Sequence, residues 1–191
     1  MLTNRIIGAF TFRKGVYAEV EADTSFTSMA WILVVLFAFL NQLGSYASED
    51  FFDWLVGTGI GTLTTVVGFA IAAAVINWVG RTIYKAEVTF DELVRTMGLA
   101  SVWTAVGVLG VISAFSTALA CLLGPVLVIS WVALVVAWFV AVKEALDLAW
   151  GQTIVTVLIG FIPWIIIMAL TGVVLTLLDL TATGFGNLIG L

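Results

Sequence analysis

Histidine is absent from this 191-residue chain. That removes the commonest general base, the commonest metal ligand and the usual haem or chlorophyll ligand. Cysteine occurs once, as Cys121 within an apolar run, so no internal disulfide can form. Charge is also scarce: 10% of residues are charged, where ordinary soluble domains run near ~25%. The net charge is −5 and no basic run occurs, so nucleic acid is not an expected partner. No ionisable side chain falls near the middle of a long apolar stretch, which argues against an ion or proton path. No nucleophile, base and orienting group fall together, so no enzyme, cofactor or metal site is expected. The start "MLTNRIIGAFTFRKG" lacks the long apolar core and small-residue cleavage site of a secretory signal.

What is present is apolar: 62% of residues. A fold of this length in water cannot hide so much, and the membrane is the first reading. A bilayer core about 30 Å thick needs ~20 mostly apolar helical residues to cross it. Five stretches qualify: Phe26 to Ala47, Trp54 to Ile83, Leu99 to Ala118, Pro125 to Val142 and Thr153 to Leu178. The third and fourth are divided at "LLGPV", where Gly124-Pro125 reads as a turn and helix start. The expected fold class is therefore all-α: an integral membrane bundle of five helices over 26–180. An interfacial segment over 1–25 precedes it and a short tail over 181–191 follows. In the first segment Ile6, Ile7, Phe10, Tyr17 and Val20 recur at helical spacing, with Arg13 and Lys14 available to lipid headgroups.

Basic residues set the orientation. With five spans, Arg5, Arg13, Lys14, Arg81, Lys85, Arg95 and Lys143 all fall on one side, while Glu49, Asp50, Asp53 and Asp179 fall on the other. The positive-inside rule then places the N-terminus in the cytoplasm and the C-terminus outside the cell (inner) membrane.

The densest charge lies in "GRTIYKAEVTFDELVRTMGLAS", where Arg81, Lys85, Glu87, Asp91, Glu92 and Arg95 form an elbow between the second and third spans. Thr89 reads as an N-cap with Glu92 completing a capping box, and Val88 with Leu93 as a hydrophobic staple. Asp91 and Arg95 stand four apart in the favourable order. Local helix-start rules thus account for most of these charges; the alternative is a docking surface on the same elbow. A second polar exit, "AVKEALDLAWGQT", pairs Lys143 with Asp147 and is placed beside the first.

Glycines within "GTGIG" follow no strand and have no lysine, so they form no nucleotide loop. Gly57 and Gly61 instead make a small-xxx-small step that Gly68 continues, a helix-packing surface within the bundle or toward another subunit. Asn41, Gln42 and Asn77 are expected to bond across helices. Thr62, Thr64 and Thr65 are expected to bond to carbonyls of their own helix, and Pro163 to kink the fifth span. Trp54, Trp78 and Trp150 fall near interfaces, while Trp131, Trp138 and Trp164 lie deeper, against lipid, helices or a pigment.

Three stretches, "FRKGVYAEVEADTS", "FDELVRTMGLASV" and "VAVKEALDLAWGQT", resemble the prokaryotic branch of the Yip-domain family, named for Ypt/Rab-interacting proteins. The resemblance implies a five-helix membrane bundle with a cytoplasmic N-terminus. Eukaryotic members act in vesicle traffic with small GTPases and carry an Asp-Leu-Tyr-Gly-Pro type motif before the first span. This chain has no such stretch, so a small GTPase is not an expected partner and no binding residue is carried over. The expected function is non-enzymatic: packing against other membrane proteins within the lipid bilayer. An accessory subunit of an energy-converting or transport complex is the alternative, and a small transporter or channel the second.

Overall fold

The computed structural model describes residues 2–48, 50–114 and 116–189, with side chains at 113, 114, 117, 175 and 178–189 left aside. Among these residues there are helices and no strand. Two short helices open the chain: α1 (Leu2–Phe10) and α2 (Val16–Glu21). The spans follow as α3 (Phe26–Ser45) and α4 (Phe51–Ile83). The third is composite: α5 (Phe90–Ala100), a 3₁₀ run (Ser101–Leu109) and α6 (Gly110–Ala114). Last come α7 (Thr117–Leu146) and α8 (Trp150–Ile189). Five segments are long and apolar enough to cross a membrane.

Two boundaries differ from the expectation. The third span begins at Phe90 rather than Leu99, because the polar start "FDELVR" folds as the first turns of the same helix. The break between the third and fourth spans lies at Ser116, not at Gly124-Pro125. Ser116 caps α7 by accepting from the Leu119 amide at 3.4 Å, and Pro125 sits inside the helix. Proline is tolerated there because membrane helices can satisfy the freed carbonyl through neighbours and local adjustment. Likewise α8 continues past Pro163.

Cross-helix contacts give the directions. α3 and the third span run parallel: Arg95 bonds Thr27, Gly98 lies against Ala30, and Gly107 against Asn41. α4 and α8 run antiparallel, with Ile76 beside Gly160 and Gly68 beside Trp164. The bundle thus has an elbow end, bearing α2, the α4–α5 connection and the α7–α8 connection, and an opposite far end.

Packing is concentrated at the elbow end. Val16 and Val20 of α2, Phe26, Ala30 and Leu33 of α3, Ala72, Ala73 and Ile76 of α4, Leu93 and Met97 of α5, and Ala141 and Val142 of α7 are all buried in one core. The N-terminal helices are therefore wedged onto the bundle rather than only laid on a bilayer surface. The far end is sparsely packed: 6% of the most apolar window of α7 is buried, against 50% in the third span. Lipid is as apolar as leucine, so burial of apolar area does not by itself draw helices together in a bilayer; close fit of small residues and hydrogen bonds must. Such fit is present where the crossings are tight.

Three non-glycine residues take left-handed backbone, Phe12, Lys85 and Asp147, and they close α1, α4 and α7. At Phe12 the Arg13 amide bonds the Gly8 carbonyl at 2.8 Å and the Phe12 amide bonds Ala9 at 3.3 Å. This is a Schellman termination with phenylalanine where glycine is usual. It throws the Phe12 ring onto Trp103, with centroids 5.7 Å apart, while Phe10 meets the same indole edge-on at 5.0 Å.

Candidate functional site

The elbow carries the capping box its sequence implied. Thr89 Oγ1 accepts from the Glu92 amide at 3.3 Å, and the Thr89 amide donates to Glu92 Oε2 at 2.6 Å. Val88 and Leu93 are both buried in the core. Arg81, Lys85, Glu87 and Asp91 are exposed and Glu92 is half-buried. Arg95 departs from the expected pairing with Asp91. It is 4% exposed and turns inward, donating from Nε and Nη2 to the Glu21 carbonyl at 3.0 and 2.5 Å, and from Nη1 to Thr27 Oγ1 at 3.1 Å. Its nearest carboxylate is Glu92, at 3.9 Å. A residue read as a surface charge is thus the pin that holds the end of α2. Lys143 also differs: it lies over the Trp150 ring, 5.5 Å from its centroid, rather than pairing with Asp147. The charges of Asp147, Glu92 and Glu144 are felt at Glu21. Burial first, then those acidic neighbours, push the Glu21 carboxyl above its ordinary range.

Gly57 and Gly61 lie beneath Tyr46 and Gln42: a Cβ at Gly61 would stand 2.5 Å from the Tyr46 ring and 2.9 Å from Gln42 Oε1. Gly68 lies under Trp164, where a Cβ would meet the ring at 2.8 Å. All three contacts are within the chain. The tightest backbone crossing is elsewhere, between Gly44 of α3 and Gly107 and Gly110 of the third span; a Cβ at Gly110 would come 2.7 Å from the Gly44 carbonyl oxygen. Neither Gly44 nor its partners stand out in the sequence. The reason is the 3₁₀ geometry. At three residues per turn, positions three apart eclipse one another, so Ser101, Thr104, Gly107 and Gly110 stack into one row of small residues. At an α-helical 3.6 residues per turn the same four would fan out and form no stripe.

Above this crossing the sparsely packed half of the bundle encloses a cavity of about 370 Å³ to which all five spans contribute. Asn41, Gln42 and Ser45 come from α3, Thr65 from α4, Trp103 and Thr104 from the 3₁₀ run, Ser130 and Trp131 from α7, and Trp164 from α8. Gln42 Nε2 donates to Thr65 Oγ1 at 2.8 Å and Ser130 Oγ to the Trp103 carbonyl at 2.6 Å, so both bond across helices. Thr65 also bonds back to Gly61. A run of rings, Trp31, Phe69, Trp138, Phe161 and Trp164, leads through four spans to the cavity, with successive centroids 5.2–6.1 Å apart. Several polar groups here make no hydrogen bond to the described residues. The Asn41 amide, expected to bond across helices, makes no hydrogen bond among the described residues, and Trp103 Nε1 is buried and unbonded. The lining contains no acid, base, phenol or thiol. Its side chains can give and take hydrogen bonds.

The described residues contain no group of three or more metal-ligating side chains. A family model, the Yip1 domain, matches residues 7–174. The chain belongs to the Yip1 domain family. The match takes in the end of α1, the elbow, the five candidate spans and every residue of the cavity. No curated protein and no solved structure matches the chain.

Proposed function

We propose that this Yip1 domain protein is a non-enzymatic multi-pass membrane protein that works by packing against other membrane proteins. The observation that carries the reading is the contrast between its two ends. The elbow end holds most of the buried core, while Leu122, Ile129 and Trp131 of α7 and Ile165, Ile166 and Leu170 of α8 stand exposed along the sparsely packed far half. The uncharged cavity supports a binding rather than a catalytic role. Seven basic residues at the elbow end support a cytoplasmic N-terminus in the cell membrane.

Photo-crosslinking side chains placed at Ile129 and Ile166, in native membranes, test the packing. Discrete protein adducts at those positions, and none from a crosslinker at Glu87 on the elbow, are expected. Adducts to lipid alone at both far positions would refute it. For the orientation, cysteines at Ser48 and Glu87 in a Cys121→Ser background should react oppositely with an impermeant reagent on intact cells, Ser48 from outside. Equal labelling would overturn it.

A further inference from the structure

We infer that the cavity between the spans is a binding site for an uncharged amphiphile drawn from the bilayer, with a compact head bearing hydroxyl or carbonyl groups. Three observations converge on that chemistry. The walls carry no charged side chain, so a phosphate or ammonium head would be buried without a counter-charge. They do carry hydrogen-bonding capacity that the protein leaves unused: the half-buried Asn41 amide offers donor and acceptor. A hydroxyl or carbonyl brought in from the apolar bilayer gains there a hydrogen bond that lipid tails cannot supply. Finally, Trp131 lines the cavity and is 60% exposed, so it stands at a rim open toward the lipid.

The volume sets the size of what enters. About 370 Å³ lies at the small end of ligand pockets, which run from ~300 to 1,000 Å³. It holds a neutral head and the first few methylenes, leaving the chains in the bilayer. The wall is braced from behind: the Trp103 indole that faces the cavity packs against Phe10 and Phe12 of the N-terminal segment.

The test uses the full chain in phosphatidylcholine vesicles with a photoactivatable, clickable diacylglycerol, compared with a phosphatidic acid of the same chains. Adducts mapped by mass spectrometry should concentrate on residues 38–45, 103–110 and 127–134 with the neutral probe. Unlabelled diacylglycerol should compete and phosphatidic acid should not. Asn41→Leu should weaken competition about tenfold. Leu134→Trp, which fills the rim and leaves every hydrogen-bonding group in place, should abolish those adducts with an unchanged thermal midpoint. Adducts spread evenly over α7 and α8, equal competition by phosphatidic acid, or undiminished labelling in a folded Leu134→Trp variant would overturn the inference.

Discussion

Replacing Arg95 tests whether α2 is pinned to the bundle from within. The guanidinium is 4% exposed and makes its hydrogen bonds to an uncharged carbonyl, that of Glu21, and to the Thr27 hydroxyl. Arg95→Leu removes the charge and leaves the Glu21 carbonyl without its donors, while the Thr27 hydroxyl keeps its bond to the Thr24 carbonyl. A buried polar group left unsatisfied costs ~1–3 kcal/mol, and the half-buried Glu21 carbonyl, offset in part by no longer burying a cation, gives an expected loss of about 1–2 kcal/mol. Arg95→Lys keeps the charge and a single donor head but not the fork that reaches Glu21 and Thr27 together, so roughly half that loss is expected. Thermal unfolding in mild detergent reads the magnitude. Hydrogen exchange of residues 16–22 reads the location, because those amides should lose protection first in Arg95→Leu while residues 69–79 of α4 keep theirs. Unchanged protection over 16–22, with a loss under ~0.5 kcal/mol, would refute the pin and return Arg95 to the role of a solvated charge.

Gly107→Ala should cost ~1–3 kcal/mol, as in an overpacked core, because its Cβ runs into Asn41. Gly59→Ala, whose Cβ meets nothing within 4 Å, should be neutral or gain up to ~1 kcal/mol; thermal midpoints compared side by side decide, and equal effects would remove the tight crossing. Thr89→Ala should lose ~0.5–2 kcal/mol by breaking the capping box, with Glu92→Gln costing less because its amide can still accept from the Thr89 amide; a melting series over the two variants checks this order. Glu21 has its carboxyl pushed up by burial and by Asp147, Glu92 and Glu144, against a smaller lowering from Arg95. Its protonated form therefore favours the folded state, a contribution fully present below the unfolded value near ~4.3 and lost as pH rises through the higher folded one. Glu21→Gln should raise the melting temperature at pH 7 and give no gain below about pH 4; a gain independent of pH would rule out titration as the cause.

The parts of this fold that were legible in the sequence are those decided within a few residues. The capping box at Thr89 depends on two side chains three apart, and the five apolar stretches depend on length and composition alone. The start of the third span was misplaced because Asp91, Glu92 and Arg95 depress local hydropathy. Asp91 and Glu92 belong to the local helix start, but what admits Arg95 to the span is a partner seventy-four positions away, the Glu21 carbonyl, which no local window contains. The α7 start was misplaced for the opposite reason: Gly124-Pro125 is a conspicuous punctuation mark, and Ser116 a quiet one that does the capping. Asn41 and Gln42 are adjacent and alike, yet only Gln42 finds a cross-helix partner, because the side chains point in different directions around α3. The cavity could not be read at all, since it gathers residues from five spans and depends on a helix pitch that periodicity analysis does not assume.

That pitch has a mechanical consequence. A 3₁₀ helix rises ~2.0 Å per residue against ~1.5 Å in an α-helix, and turns ~20° further at each step. Over the nine residues from Ser101 to Leu109, conversion between the two would shorten the span by ~4–5 Å and rotate its far end by about half a turn. The segment is a screw whose extended setting is locked by the meeting of Gly44 with Gly107 and Gly110. Unwinding it would swing those glycines away from α3 and carry Thr104 off the cavity wall.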